Sequence, residues 1–188
     1  MKNNNQDKVT ILTEGTPNPN AIKFVLNKSI LENKTANFPS REKADNSPLA
    51  KKLFGIKEVR EVFIGKDFIT VSKDTNTPWE IIYDKVQEII TKHIESGEEV
   101  LIEKTNDGKK RSSSEIENKI LELLDSRIRP AVASDGGDVL FESYEDGILR
   151  LHLQGACSHC PSSIMTLKSG IEALLKREIP ELKEVISV

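Results

Sequence analysis

The sequence predicts an α+β fold made of two small domains joined by a flexible linker. Alternating apolar residues, typical of strands, and apolar residues spaced three and four apart, typical of helices, both occur in each half of the 188-residue chain. Between the halves, residues 96–113 are polar and have no periodicity. We therefore expect a disordered start over 1–8, a first domain over 9–95, the linker, and a second domain over 114–188.

In the first domain, four strands are predicted from alternation and from the turns that bound them. Residues 9–14 and 21–26 flank the turn Gly-Thr-Pro-Asn-Pro-Asn, and residues 27–46 carry no pattern and are expected to be loop. A hairpin follows, with strands at 59–64 and 68–71.

Two helices of the first domain are marked by their ends. Ser47 and Pro48 open a short helix that runs to Phe54. Pro78 opens a longer one that ends before Gly97, with Trp79 expected in the core. Its apolar face is predicted to comprise Ile81, Ile82, Val86, Ile89 and Ile90. The apolar patch 100–102 is open to two interpretations, part of the linker or a last strand.

The second domain is predicted to run in the order α-β-β-α-β. Ser114 and Glu117 form a capping box, and the helix that they open is expected to end at Arg129-Pro130. The remaining elements are a turn at 135–138, strands at 139–144 and 148–153, a helix that starts at Pro161 and stops before Pro180, and a strand at 185–186.

The composition excludes several classes of function. No apolar run approaches the ~18 residues of a membrane helix. Residues 113–188 carry a net charge of −5 and residues 1–112 a net charge of +2, and an acidic half without a basic stripe argues against nucleic acid. Residues 1–8 resemble neither a signal peptide nor a transit peptide, so we expect a cytoplasmic protein.

The chemistry is concentrated in the only two cysteines, Cys157 and Cys160, which form a C-x-x-C motif between a predicted strand and a predicted helix. Pro161 suits the first helical position, which places Cys160 near the N-cap. The positive end of the helix dipole favours thiolates. The motif therefore predicts a metal or redox site.

Several interpretations of this pair compete. Cysteines buried as small apolar residues are disfavoured, because polar Ser158 and His159 lie between them. A thioredoxin-like dithiol fits the motif, but that fold needs a βαβ unit before it, and here a hairpin precedes it.

A metal site needs about four ligands, and one chain offers two thiolates. We expect His152 to face solvent and His93 to lie on the surface of the other domain, and we disfavour His159 as a ligand. Two chains meeting across a two-fold axis would supply four sulfurs and bridge an exposed, labile cluster.

The chain resembles the Nfu-type (NifU-like) iron–sulfur cluster scaffolds and carriers. The second half shows Ile-Arg-Pro at 128–130, Asp-Gly-Gly-Asp at 135–138, Gly-Ala-Cys-Ser-His-Cys-Pro-Ser-Ser at 155–163 and Thr-Leu-Lys-Ser-Gly-Ile-Glu at 166–172. The first half resembles the N-terminal domain of the same family, through Thr-Pro-Asn-Pro-Asn at 16–20 and the segment 63–71.

The resemblance implies a [4Fe–4S] cluster, with [2Fe–2S] as the other candidate, bound by Cys157 and Cys160 of two subunits and passed to apo-proteins. It implies a non-enzymatic carrier that dimerises when loaded, receives its cluster from an upstream scaffold, and resides in a bacterial cytoplasm. Asp135–Asp138 are interpreted as a structural turn. Arg127, Arg129 and Arg150 are candidates for balancing cluster charge or for ordinary surface positions. A thiol–disulfide oxidoreductase, acting as a monomer, is the alternative.

Overall fold

The structure, a computed structural model, describes residues 8–32, 34–102, 114–158 and 161–188, the side chains of 161–163 excepted. The chain divides into two compact units, Met1–Thr105 and Asn106–Val188, and each combines helices with one sheet. The predicted α+β class is therefore confirmed. Most of the predicted disordered start and of the predicted linker lies outside the described residues.

The first unit is built on a five-stranded antiparallel sheet in the order β1-β2-β5-β4-β3. The strand β3 falls in the stretch that the sequence predicted as loop, because three residues are too few to show alternation. The strands are β1 (Ile11–Gly15), β2 (Ala21–Leu26), β3 (Ala36–Phe38), β4 (Val59–Ile64) and β5 (Phe68–Lys73).

Two helices pack on this sheet, α1 (Pro48–Leu53) and α2 (Trp79–Glu95). The buried stripe of α2 contains Ile82, Val86 and Ile90, as predicted. Ile81 does not belong to it: this side chain is 56% exposed, because it lies a full 100° around the helix from Ile82. Trp79 is partly buried against the core, and its indole N–H donates to the carbonyl of Pro19 at 3.2 Å.

The apolar patch after α2 is not a strand, yet it is fastened to the first unit. Val100 is buried in the core of this unit, and its carbonyl accepts a hydrogen bond from the Ser47 hydroxyl at 2.7 Å. The amide of Ile102 donates to the carbonyl of Asn46 at 2.7 Å. Neither predicted interpretation describes this stretch, which is irregular and packed.

His93, predicted on the surface, is buried instead, with a side chain that is 0% exposed. Residues 98–99, which follow α2, contact the His93 ring. The helical pattern of the sequence cannot show these contacts, because they come from a segment outside the helix. The Nδ1 of His93 accepts from the Lys52 ammonium at 3.1 Å, and its Nε2 lies 3.3 Å from the carbonyl of Glu99. This arrangement suits a neutral ring, and burial together with the charge of Lys52 lowers the pKa of His93.

We expect the first unit to lose stability as the pH falls below about 6.5, because the unfolded chain then takes up a proton that folded His93 resists. The contribution cannot exceed about 1.4 kcal/mol per pH unit. Urea unfolding followed by the fluorescence of Trp79, the only tryptophan, measures it. His93→Gln should flatten the pH dependence, and His152→Gln in the second unit should leave it unchanged. An unaltered slope in His93→Gln would contradict this assignment.

The second unit pairs a helical layer with a three-stranded sheet in the order β6-β7-β8. β6 and β7 form an antiparallel hairpin, and β8 runs parallel to β7. The capping box is confirmed, since Glu117 N–H donates to Ser114 Oγ and Ser114 N–H to Glu117 Oε2. The elements are α3 (Glu115–Leu123), α4 (Arg129–Ser134), β6 (Gly137–Glu145), β7 (Ile148–Gly155), α5 (Pro161–Glu178) and β8 (Glu184–Ser187).

The prediction that Arg129-Pro130 ends the first helix of this unit is wrong. A π-helical turn over Leu124–Ile128 joins α3 to α4, and Pro130 lies in the first turn of α4. The π-helical turn interrupts the regular i→i−4 hydrogen bonding just before Pro130, and a proline, which has no N–H to donate, is accommodated at such an interruption. None of the described helices is long and apolar enough to cross a bilayer.

Candidate functional site

The C-x-x-C loop connects the end of β7 to the start of α5. The helix α5 begins at Pro161, the predicted first helical residue. His159 and Cys160 lie outside the described residues, so the predicted N-cap position of Cys160 stays a prediction. Cys157 is the part of the predicted site that the structure describes.

Cys157 is buried, with 4% of the residue exposed, and belongs to the core of the second unit. The sequence predicted an open loop position, because polar residues follow the cysteine. The chain turns inward earlier, at Gly155, whose φ of +68° is accessible to glycine. The amide of Ala156 then donates to the carbonyl of Gly136 at 3.2 Å, which fixes the loop against the Asp-Gly-Gly-Asp turn.

Gly137 lies directly against the thiol. A Cβ placed on this glycine would be 3.0 Å from Cys157 Sγ and 2.4 Å from the backbone oxygen of Gln154. Gly137 pairs with Gly155 at the end of the β6–β7 ladder, so two residues without side chains face each other beside the cysteine. A larger residue at position 137 would collide with the Gln154 backbone and press on the Cys157 sulfur. Glycine at this position therefore allows the sulfur to lie where it does.

The turn that carries Gly137 is held by an ion pair between the buried Asp138 and the half-buried Arg129. Asp138 is 4% exposed, and its two carboxylate oxygens accept from Nε and Nη2 of Arg129, both at 2.9 Å. Asp138 Oδ1 also accepts from the amide of Val139 at 2.8 Å. Hydrogen bonding to Asp138 raises the pKa of Arg129, which therefore stays charged. The interpretation of Asp135–Asp138 as a structural turn is supported for Asp138.

Asp138→Ala should destabilise the second unit by about 1–3 kcal/mol, because it leaves the half-buried Arg129 guanidinium without its bidentate partner. Asp125→Ala is the matched control. This aspartate contacts the same arginine at 2.9 Å but is 64% exposed, so its loss should cost less than about 1 kcal/mol. Hydrogen exchange of the β6 and β7 amides measures both. Equal effects would show that burial of the pair does not matter.

The other candidates are engaged at the surface. His152 faces solvent as predicted, with Nε2 3.0 Å from Glu142 Oε2 and Nδ1 2.9 Å from the carbonyl of Val188. Arg127 pairs with Glu178 at 3.2 Å, and Arg150 lies 3.6 Å from Glu145. Within the described ranges, which omit 159–160, no three His, Cys, Asp or Glu side chains come together as a metal site.

The sequence did not predict the Arg129–Asp138 pair or the contact between Gly137 and Cys157. The sequence held one indication of the pair: Arg129 and the Asp-Gly-Gly-Asp turn lie close together in the motifs that carry the family resemblance. Nothing in their spacing predicts a bidentate pair, because Arg129 begins α4 and Asp138 lies at the start of β6, nine residues further along the chain.

Two family models match the chain. The model described as "Scaffold protein Nfu/NifU N terminal" matches residues 11–97, and the "NifU-like domain" matches residues 120–186. The "NFU1 iron-sulfur cluster scaffold homolog, mitochondrial" of Homo sapiens is 45% identical over 181 residues, which are 95% of this chain and 71% of the relative. Its counterpart in Drosophila ananassae is 43% identical over 182 residues, 95% of this chain and 64% of the relative.

The chain thus spans less than two thirds of the fly relative's length. A solved structure of a NifU-like protein from Saccharomyces cerevisiae is 28% identical, with a TM-score of 0.48, over 55% of this chain and 93% of that one.

These relatives correct the predicted location. The bacterial cytoplasm was predicted because residues 1–8 do not resemble the transit peptide of the mitochondrial family members, and it is contradicted by relatives that are mitochondrial proteins of animals. The composition of this short stretch is therefore no guide to the compartment.

Proposed function

The chain belongs to the Nfu family of iron–sulfur cluster scaffolds, and we propose that it carries a [4Fe–4S] cluster bridged between two copies of itself. Cys157 and Cys160 of each copy would supply the four thiolates. The cluster is cargo, received from an upstream scaffold and passed to apo-proteins. The chain acts as a carrier that catalyses no reaction of its own.

One observation carries this proposal: the Cys157 sulfur is fixed in the core of the second unit, beside Gly137 and two residues after the end of β7, in a chain that has only one other cysteine. Iron–sulfur clusters are held by four thiolates, and two chains reach this number by symmetry. An ionised thiolate in the apolar surroundings of Cys157 is costly unless a metal compensates its charge. The donor type and the burial therefore suit an iron–sulfur cluster.

Transfer would proceed by ligand exchange without net oxidation. A client thiol loses its proton as its sulfur binds iron, and the displaced thiolate of Cys157 or Cys160 takes up a proton. Iron, sulfide and electrons all move to the client together. Because Cys157 is buried in the core of the second unit, its sulfur would have to become accessible before a client thiolate could displace it.

Cluster transfer tests the carrier role. The full chain, reconstituted anaerobically with iron and sulfide, is mixed with an apo-ferredoxin, and circular dichroism follows cluster appearance on the client. We expect transfer to continue in the presence of a chelator that binds free iron but removes iron from intact clusters only slowly. Such transfer would show that the cluster moves intact. A protein that acquires no cluster yet reduces or forms disulfides in a substrate protein would favour the oxidoreductase.

A further inference from the structure

The first unit carries a basic groove, formed by Pro39–Glu42, Phe54, Gly55, Lys57, Val59 and Arg60. Its volume is about 460 Å³, which accommodates a few amino-acid side chains. The groove belongs entirely to the first unit, which contains none of the residues proposed to bind the cluster.

The groove arises where the sheet edge is left uncovered. The strand β3 pairs only with Val62–Ile64 of β4, so Val59–Glu61 extend past its end. Pro39 follows β3 directly and cannot donate a ladder hydrogen bond, which ends the pairing. The 3₁₀ turn Arg41–Lys43 follows, and its Arg41 lines the groove together with Val59 and Arg60 of β4. A short length of strand edge therefore borders the groove.

The lining of the groove is positively charged. Arg41, Lys57 and Arg60 are exposed around it, against one carboxylate, that of Glu42. Lys57 has no carboxylate partner among the described residues, and Arg60 makes only a 3.9 Å contact with Asp74. A net charge of +2 thus surrounds the groove on a protein whose total charge is −3.

Rigid backbone holds this lining in place. The Arg41 guanidinium donates to the carbonyl of Phe54 at the end of α1. Phe54 and Val59 are both buried and anchor the floor in the core of the unit. The cations therefore project from a fixed frame, which lowers the entropy lost when a ligand binds.

We propose that the basic groove binds an extended acidic segment of a partner protein. The carboxylates would pair with Lys57 and Arg60, and the backbone would lie along the end of β4, as in strand addition to a sheet edge. Only the identity of these partners, as cluster donors or clients, rests on the proposed carrier function. Nucleic acid is disfavoured, because three cations in a short groove do not form a stripe along a phosphate backbone.

Fluorescence anisotropy tests this inference with the full chain and a labelled hexapeptide, Glu-Leu-Asp-Val-Glu-Leu. Saturable binding that weakens with salt is expected, and the Gln-Leu-Asn-Val-Gln-Leu peptide should not bind. Lys57→Glu with Arg60→Glu should weaken binding about tenfold or more, since attraction becomes repulsion. The matched control is Lys66→Glu with Lys85→Glu, two exposed lysines of the same unit outside the groove, and it should change binding little.

Equal affinity for the two peptides, or equal loss in the two double variants, would overturn the proposal. So would binding of a single-stranded oligonucleotide at the same site in place of the acidic peptide. Cluster loading, measured in the same variants, should be unchanged. If the Lys57→Glu/Arg60→Glu protein loses peptide binding but still loads a cluster, the groove acts independently of the cluster site. Failure of the proposed function would appear differently, as a wild-type protein that loads no cluster.

Discussion

Replacement of either Cys157 or Cys160 by alanine is expected to abolish stable cluster binding completely, and the cluster-dependent dimer with it. Each substitution removes two of the four thiolates of a bridged cluster, because the dimer carries the change in both copies. Iron and sulfide analysis after anaerobic reconstitution, with the visible absorption of the cluster, measures the loss.

Ser158→Ala is the matched control, since it changes the residue beside Cys157 and removes only a hydroxyl that donates to the carbonyl of Gly155 at 2.8 Å. It should retain the cluster. A full cluster in either cysteine variant would contradict the bridged site. Unequal roles, with one cysteine indispensable and the other not, would point to a dithiol mechanism.

Gly137→Ala should both destabilise the second unit and impair cluster loading. The added methyl group would lie 2.4 Å from the backbone oxygen of Gln154 and 3.0 Å from Cys157 Sγ. The start of β6 would therefore have to move away from the end of β7 and from the cysteine sulfur. Overpacking of this kind costs about 1–3 kcal/mol. Urea unfolding followed by far-ultraviolet circular dichroism and cluster yield give the two measurements.

Gly170→Ala is the control, because it makes the same chemical change in α5 and the new methyl group meets no atom within 4 Å apart from its chain neighbours and the backbone of its own helix. It should stabilise the helix by about 1 kcal/mol and leave the cluster yield unchanged. A Gly137→Ala protein of unaltered stability and loading would show that the contact with Cys157 is not important.

Local patterns predicted most of the elements, because turns, caps and periodicity act over a few residues. The capping box at Ser114, the start of α5 at Pro161 and the exposed position of His152 are confirmed. The burial of Cys157 and of His93 could not be predicted, since each depends on a segment that packs over it from elsewhere in its unit: the turn at Gly136–Gly137 in one case and Glu98–Glu99 in the other.

The continuation of the helix through Pro130 shows a different limit. A proline signals a helix end when the preceding residues keep α-helical hydrogen bonding, and here a π-helical turn shifts that register just before it. The same change of register accompanies the placement of Arg129 beside Asp138. Part of the support of the candidate site therefore depends on an irregularity that periodicity does not show.

Native mass spectrometry of the full chain, reconstituted anaerobically with iron and sulfide, tests the bridged cluster most directly. We expect a dimer that carries one added mass of four irons and four sulfides, alongside apo-protein without this mass. A monomer that binds no iron and changes only by two hydrogens with redox state would contradict the carrier function, and a monomer with a complete cluster would contradict the bridge.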